Sequence, residues 1–245
     1  MRLFQIERGG VEMLHKETVE EGTLELIRKL SADKIFNDFR LAGGTALSLQ
    51  IGHRKSIDID MFINKTFNAS RLGEHLQKKY NAEEIRIRES AIFSYINDIK
   101  IDMVTEEGNW LRPPLNIEGV RMASLHDIAA MKLIVINYDG QRLKDFIDIH
   151  FLLEHISLDE MRQAYGKKYP QQYEEDALDG LMQPERIDHT AKIDYIRPKP
   201  EWTDVVKRLD EAFKNPKRIY KEHQIDKSVT DERKQTQNRK RGRTL

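Results

Sequence analysis

Residues 41–62, LAGGTALSLQIGHRKSIDIDMF, decide how this chain is read. Gly43, Gly44 and Thr45 open a short helix expected to run to Ile51 and to stop near Gly52. Glycines let backbone N–H groups come close to an anion, and the N-terminus of a helix favours negative charge. After the loop GHRKS comes a strand bearing Asp58 and Asp60. Side chains alternate along a strand, so the two aspartates share one face while Ile57, Ile59 and Met61 point the other way, toward a core. Two carboxylates side by side repel each other unless a cation sits between them, and hard divalent cations such as Mg²⁺ suit oxygen ligands. A phosphate cradle close to a metal site is a place to bind a nucleoside triphosphate.

Outward from this stretch, residues 24–30 carry an apolar helical rhythm, with Thr23 as the expected N-cap. A short strand at 39–42 leads into the glycines, and a helix over 70–80 follows the metal strand with Asn68 or Ser70 as its cap. Three more strands are expected at 84–88, 91–96 and 99–104, the last two joined by a tight Asn97-Asp98 turn. In the third of them Asp102 falls opposite the apolar set Ile99, Ile101 and Met103. Arg112-Pro113-Pro114 breaks the pattern and marks the passage to a helical half. There Ser124 starts a helix containing Lys132, and residues 144–153 form a second one containing Asp145 and Asp148. Further helices are expected near 158–165, 173–181 and 202–213. The expected division is therefore residues 1–118 as a core with an N-terminal helix, 119–222 as the helical half, and 223–245 as a basic, disordered tail.

The composition narrows the function further. The 245 residues leave ample core for one large domain or two small ones. There is no cysteine, which excludes disulfides and thiolate zinc sites. Charged residues make up 33% of the chain yet balance to a formal net charge of +0, which argues against global electrostatic capture of nucleic acid. No apolar run is long enough to span a bilayer and no signal peptide is evident, so a soluble, cytoplasmic protein with no membrane partner is expected. The basic tail, with Arg233, Lys234, Arg239, Lys240, Arg241 and Arg243, either contacts an RNA backbone or is simply solvated.

The paired glycines, the spacer and the Asp-x-Asp strand resemble the nucleotidyltransferase signature of the DNA polymerase β-like superfamily. More narrowly, GGTALSL followed by GHRKSIDIDMF resembles the AbiEii/AbiGii-type nucleotidyltransferase toxins. The resemblance implies an α+β fold, a mixed sheet flanked by helices and followed by a helical half. It also implies Mg²⁺-dependent (or Mn²⁺-dependent) transfer of a nucleotidyl group from a nucleoside triphosphate to an acceptor. By the same resemblance the acceptor is the 3′ end of a tRNA, and the protein is the toxin of a toxin–antitoxin or phage-defence pair with a separate antitoxin protein as partner. Two other readings stay open: the same site modifies a protein or a small molecule, or the fold binds nucleotide and transfers nothing.

Two metal ions need more than two carboxylates, so a third acid is expected on a neighbouring strand, and Asp102 is the candidate beside Asp58 and Asp60. The alternative for Asp102 is a solvent-facing aspartate. The loop residues Arg54 and Ser56 are candidates for phosphate contact together with Gly43, Gly44 and Thr45, whereas His53 reads as structural. In the toxin family a helical stretch like that of Lys132, Asp145 and Asp148 completes the nucleotide site. Lys132 would then be a point charge for the triphosphate and Asp148, preferred over Asp145, would orient it. The alternative is a structural Lys–Asp pair that holds two helices together.

Overall fold

Strand β2 (Ile59–Ile63) lies parallel to β5 (Ile99–Thr105), with Asp60 directly opposite Asp102. The computed structural model describes residues 13–140 and 142–221, and within them this pair is the centre of the sheet. The alternation of the two strands explains the register. Ile59, Met61, Ile101 and Met103 are fully buried on one face, and a slip by one residue would turn them all to the other. Strands β1 (Arg40–Leu41), β3 (Glu83–Arg88), β4 (Ala91–Ile96), β6 (Leu115–Ile117) and β7 (Val120–Met122) complete a seven-stranded mixed sheet in the order β3-β4-β5-β2-β1-β7-β6.

Parallel neighbours need a crossover, and α3 (Ala69–Tyr80) with the β3–β4 hairpin provides it between β2 and β5. Asn68 caps α3, accepting from Arg71 N at 2.9 Å. Asn97 and Asp98 both adopt positive φ, +52° and +62°, as a two-residue hairpin turn requires. Helix α1 (Glu21–Ala32) has its N-cap at Glu20 rather than at Thr23, which is buried inside it. Helix α2 (Gly43–Ile51) follows β1 directly and ends at Gly52, whose φ is +67°.

The helical half is built on α4 (Leu125–Tyr138), which has Ile128, Ala129, Ala130, Leu133 and Ile136 buried and touches α2, α5 (Leu143–Leu152) and α6 (Leu158–Lys168). Ser124 caps α4, its Oγ accepting from Asp127 N at 3.1 Å, and Ser157 with Glu160 forms a capping box on α6. Helix α7 (Trp202–Lys214) packs on α5. No helix among the described residues is long and apolar enough to cross a membrane.

The structure differs from the sequence expectation in three further places. Ile57 is 67% exposed because pairing begins only at Ile59, so strand alternation does not reach it. A hairpin of β6 and β7, turning at Glu118 and Gly119 where the core was expected to end, adds two strands beyond β1. These three-residue strands are too short to show a period in sequence. Residues 174–182 form 3₁₀ turns instead of a helix, with Gly180 so close to the carbonyl of Ile136 that a Cβ would sit 2.7 Å from it. The basic tail lies outside the described residues.

Helix α5 also carries a pH-sensitive group. The His150 ring is 4% exposed, its Nδ1 has no hydrogen-bond partner, and burial together with Arg208 pushes its pKa down to about 3. The unfolded chain takes up this proton near pH 6.5 while the folded chain refuses it, so stability must fall as pH drops below 6.5. Between pH 7 and 5 this one group should remove about 2 kcal/mol, and His150→Phe should abolish that part of the loss in urea unfolding at the two pH values.

Candidate active site

Helix α2 starts abruptly because Gly43 has φ +62° and Ala42, at the N-cap, has no side chain to satisfy the first amides. A Cβ added to Gly43 would run into the Asp60 carboxylate, and one added to Gly44 would lie 2.6 Å from Arg54 Nη2 and 3.2 Å from Ser56 Oγ. The backbone is thus bare where it meets the aspartates. Gly43→Ala combines a disfavoured φ with this collision and should cost about 1–3 kcal/mol in thermal or urea unfolding. Thr45 is fully buried, its hydroxyl donating to the carbonyl of Asp58 at 2.5 Å and lying 2.9 Å from Ser56 Oγ. Its side chain therefore fixes the approach to β2, leaving only its backbone amide for a ligand.

The three carboxylates expected to cooperate are adjacent. Burial pushes the pKa of Asp60 up to about 6, and the charges of Asp102 and Asp58 add to the effect while Lys132 and Lys100 oppose it. Asp102 is held by Lys100, whose Nζ is 2.6 Å from Oδ2, and its Oδ1 is buried without a hydrogen-bond partner. Among the described residues no group of three or more acids or histidines is drawn together as closely as a bound metal would hold it. The donor set nonetheless suits a hard divalent cation: every atom on offer is oxygen, one is the orphaned Oδ1 of Asp102, and Asp60 is strained by uncompensated charge.

Behind these aspartates lies a buried ionic network. Asp148, fully buried on α5, accepts from Arg54 Nε at 2.7 Å and Nη2 at 2.9 Å, lies 2.8 Å from His53 Nε2, and has Lys132 Nζ at 2.6 Å. Lys132 also reaches Asp145 Oδ1 at 2.5 Å, so it joins both aspartates of α5 rather than selecting one. The two cations hold the Asp148 carboxyl far below the usual carboxylate range, while burial lowers the pKa of the His53 ring against the pull of Asp148. Arg54 is raised in turn by Asp148 despite its burial. This network ties α4 and α5 of the helical half to the loop that enters β2.

The structure therefore brings Gly43, Gly44, Ser56, Asp58, Asp60 and Asp102 to one place, with Lys132 near enough to act on Asp60. Arg54 and Asp148 stand one layer back, bonded to each other. Lys100 was not anticipated as a partner. Its two-residue spacing from Asp102 on the same strand is the signal that could have found it.

A family model described as nucleotidyl transferase AbiEii toxin, type IV toxin–antitoxin system, matches residues 25–235. Uncharacterized protein aq_aa25 of Aquifex aeolicus (strain VF5) is 32% identical over 151 residues, spanning 59% of this chain and 73% of that protein. Among solved structures, a candidate nucleotidyltransferase from H. pylori is 20% identical with a TM-score of 0.47, over 80% of this chain and 95% of the other. An antigenic nucleotidyltransferase-like protein from Paracoccidioides brasiliensis is 18% identical with a TM-score of 0.46, over 78% and 94% of the two chains.

Proposed function

The chain belongs to the AbiEii nucleotidyl transferase toxin family, and on that premise we propose that it moves a nucleoside monophosphate from a triphosphate to the 3′ end of a tRNA. The observation that carries this reading is Asp60 in register with Asp102 beside an uncapped, glycine-bare helix N-terminus. In the reaction the acceptor hydroxyl oxygen bonds to the α-phosphorus as the bond to the bridging oxygen breaks. Pyrophosphate leaves with the electron pair, and the hydroxyl proton passes to a carboxylate or to water.

Asp58, Asp60 and Asp102 would hold Mg²⁺ (or Mn²⁺), which when bound supplies charge neutralisation at the attacking and leaving oxygens. The backbone amides of Gly43, Gly44 and Thr45 and the Ser56 hydroxyl would bind phosphate oxygens. Lys132 adds a fixed positive charge near Asp60, and Asp148 with Asp145 positions it. Residues 1–118 would supply the catalytic carboxylates and residues 119–222 the Lys132–Asp148 support. The toxin would act in the cytoplasm, where triphosphates and tRNA are found, restrained by a separate antitoxin protein and serving in phage defence.

The test is incubation with each α-labelled triphosphate and Mg²⁺, offered either total tRNA or lysate protein. Label on tRNA supports the reading. Label confined to protein, or tight nucleotide binding without pyrophosphate release, overturns it.

A further inference from the structure

Lys132 is the cation that the sequence pattern nominates for the triphosphate, yet it is 8% exposed and its ammonium already meets two carboxylates, at 2.5 and 2.6 Å. The Arg54 guanidinium is likewise held by Asp148. The negative charge of the outer phosphates needs other partners, and a cavity beside Asp58 offers them.

This cavity, about 350 Å³, is lined by Arg54, Ser56 and Asp58 of the loop before β2 together with Lys144, Lys192 and Ile193. Lys144 stands in the first turn of α5. Lys192 belongs to a strap that runs back from the helical half over the loop before β2. The strap is fastened by Lys55 N to Asp194 O at 2.7 Å and by Ile196 N to His53 O at 3.1 Å, with a bridge between Arg54 and Tyr195.

The other charged groups of the lining are largely paired: Lys55 with Asp194 at 3.1 Å and Glu17 with His15 at 3.0 Å. Lys144 and Lys192 are exposed and have no ion-pair partner among the described residues. What faces the cavity unpaired is two lysines, Glu20 and the metal-seeking Asp58.

We propose that this cavity seats the pyrophosphate end of the incoming nucleotide, with Lys144 and Lys192 as the two cations that grip it. Lysine ammonium groups are compact point charges suited to phosphate. The outer phosphates carry more charge per volume than the diester backbone of an acceptor, which favours them for a walled cavity over a strand of RNA. Neither Asp102 nor any residue of β5 lines it, so it lies away from that carboxylate. The strap thereby makes the helical half part of the nucleotide site.

This inference rests on the reading of the chain as a nucleotidyl transferase at Asp58 and Asp60. It is tested by calorimetry on the full chain with Mg²⁺, titrating inorganic pyrophosphate, each nucleoside triphosphate and each monophosphate into wild type, Lys144→Gln, Lys192→Gln and the double variant. Both lysines are exposed, so the variants should fold, which their melting temperatures check. The double variant should bind pyrophosphate and triphosphate at least about tenfold more weakly and monophosphate within about twofold of wild type. Unchanged pyrophosphate affinity overturns the proposal, as does an equal loss for the monophosphate or a raised KM for tRNA with an unaltered KM for triphosphate. If wild type binds pyrophosphate through these lysines and transfers nothing, the inference stands and the proposed reaction falls. If wild type transfers label and the double variant keeps its KM for triphosphate, the reverse holds.

Discussion

Asp148→Ala will unfold this protein far more readily than any other single loss at the site. The Asp148 carboxylate is fully buried and answers Arg54, Lys132 and His53 at once, at distances of 2.6 to 2.9 Å. Its removal leaves two cations without water and without their counter-ion, although Lys132 keeps Asp145. Breaking one side of a buried ion pair costs about 3–5 kcal/mol, a large part of the roughly 5–15 kcal/mol that a domain has. The network is no proof of stability in itself, since apolar residues of equal volume could replace all of it. Asp145→Ala should cost less, because Arg142, its other partner, is half exposed and can return to water. Urea unfolding of the two variants measures the difference; a loss under about 1 kcal/mol for Asp148→Ala would contradict the role assigned to it.

The second large effect has opposite signs in activity and stability. Asp60→Asn should lower nucleotidyl transfer at least about 10³-fold, since it removes a carboxylate from the place where a divalent cation would neutralise the transition state. The same change should raise the melting temperature of the metal-free protein at neutral pH. Asp60 is charged there against Asp58 and Asp102, and burial compounds that repulsion. A merely structural aspartate would lose both stability and activity when replaced. Melting curves in chelator, set beside transfer rates in Mg²⁺, separate the two roles.

The sequence carried the centre of this molecule well. Asp60 and Asp102 were legible as neighbours on one face because each interrupts an apolar alternation whose other face is fully buried, whereas Asp58 comes just before the paired strand, next to the exposed Ile57. The glycines were legible because only a bare backbone tolerates the positive φ of Gly43 and the nearness of Asp60. Lys132, Asp145 and Asp148 stood out as charges among apolar helix positions, though Arg54, which also binds Asp148, lies 94 residues from it and no spacing reveals that pair. The β6–β7 hairpin and the strap at residues 192–197 were not legible. Both are short, and their positions are set by backbone pairing with distant segments, β7 with β1 and the strap with the loop before β2, rather than by any period of their own.

The decisive comparison is transfer of label from an α-labelled nucleoside triphosphate to tRNA, in Mg²⁺, by wild type and by Asp58→Ala/Asp60→Ala. Label should reach the tRNA 3′ end with release of pyrophosphate in wild type, and a folded double variant should transfer none. Equal transfer by the two proteins, or no transfer to any acceptor by a wild-type chain that binds the triphosphate, would contradict it.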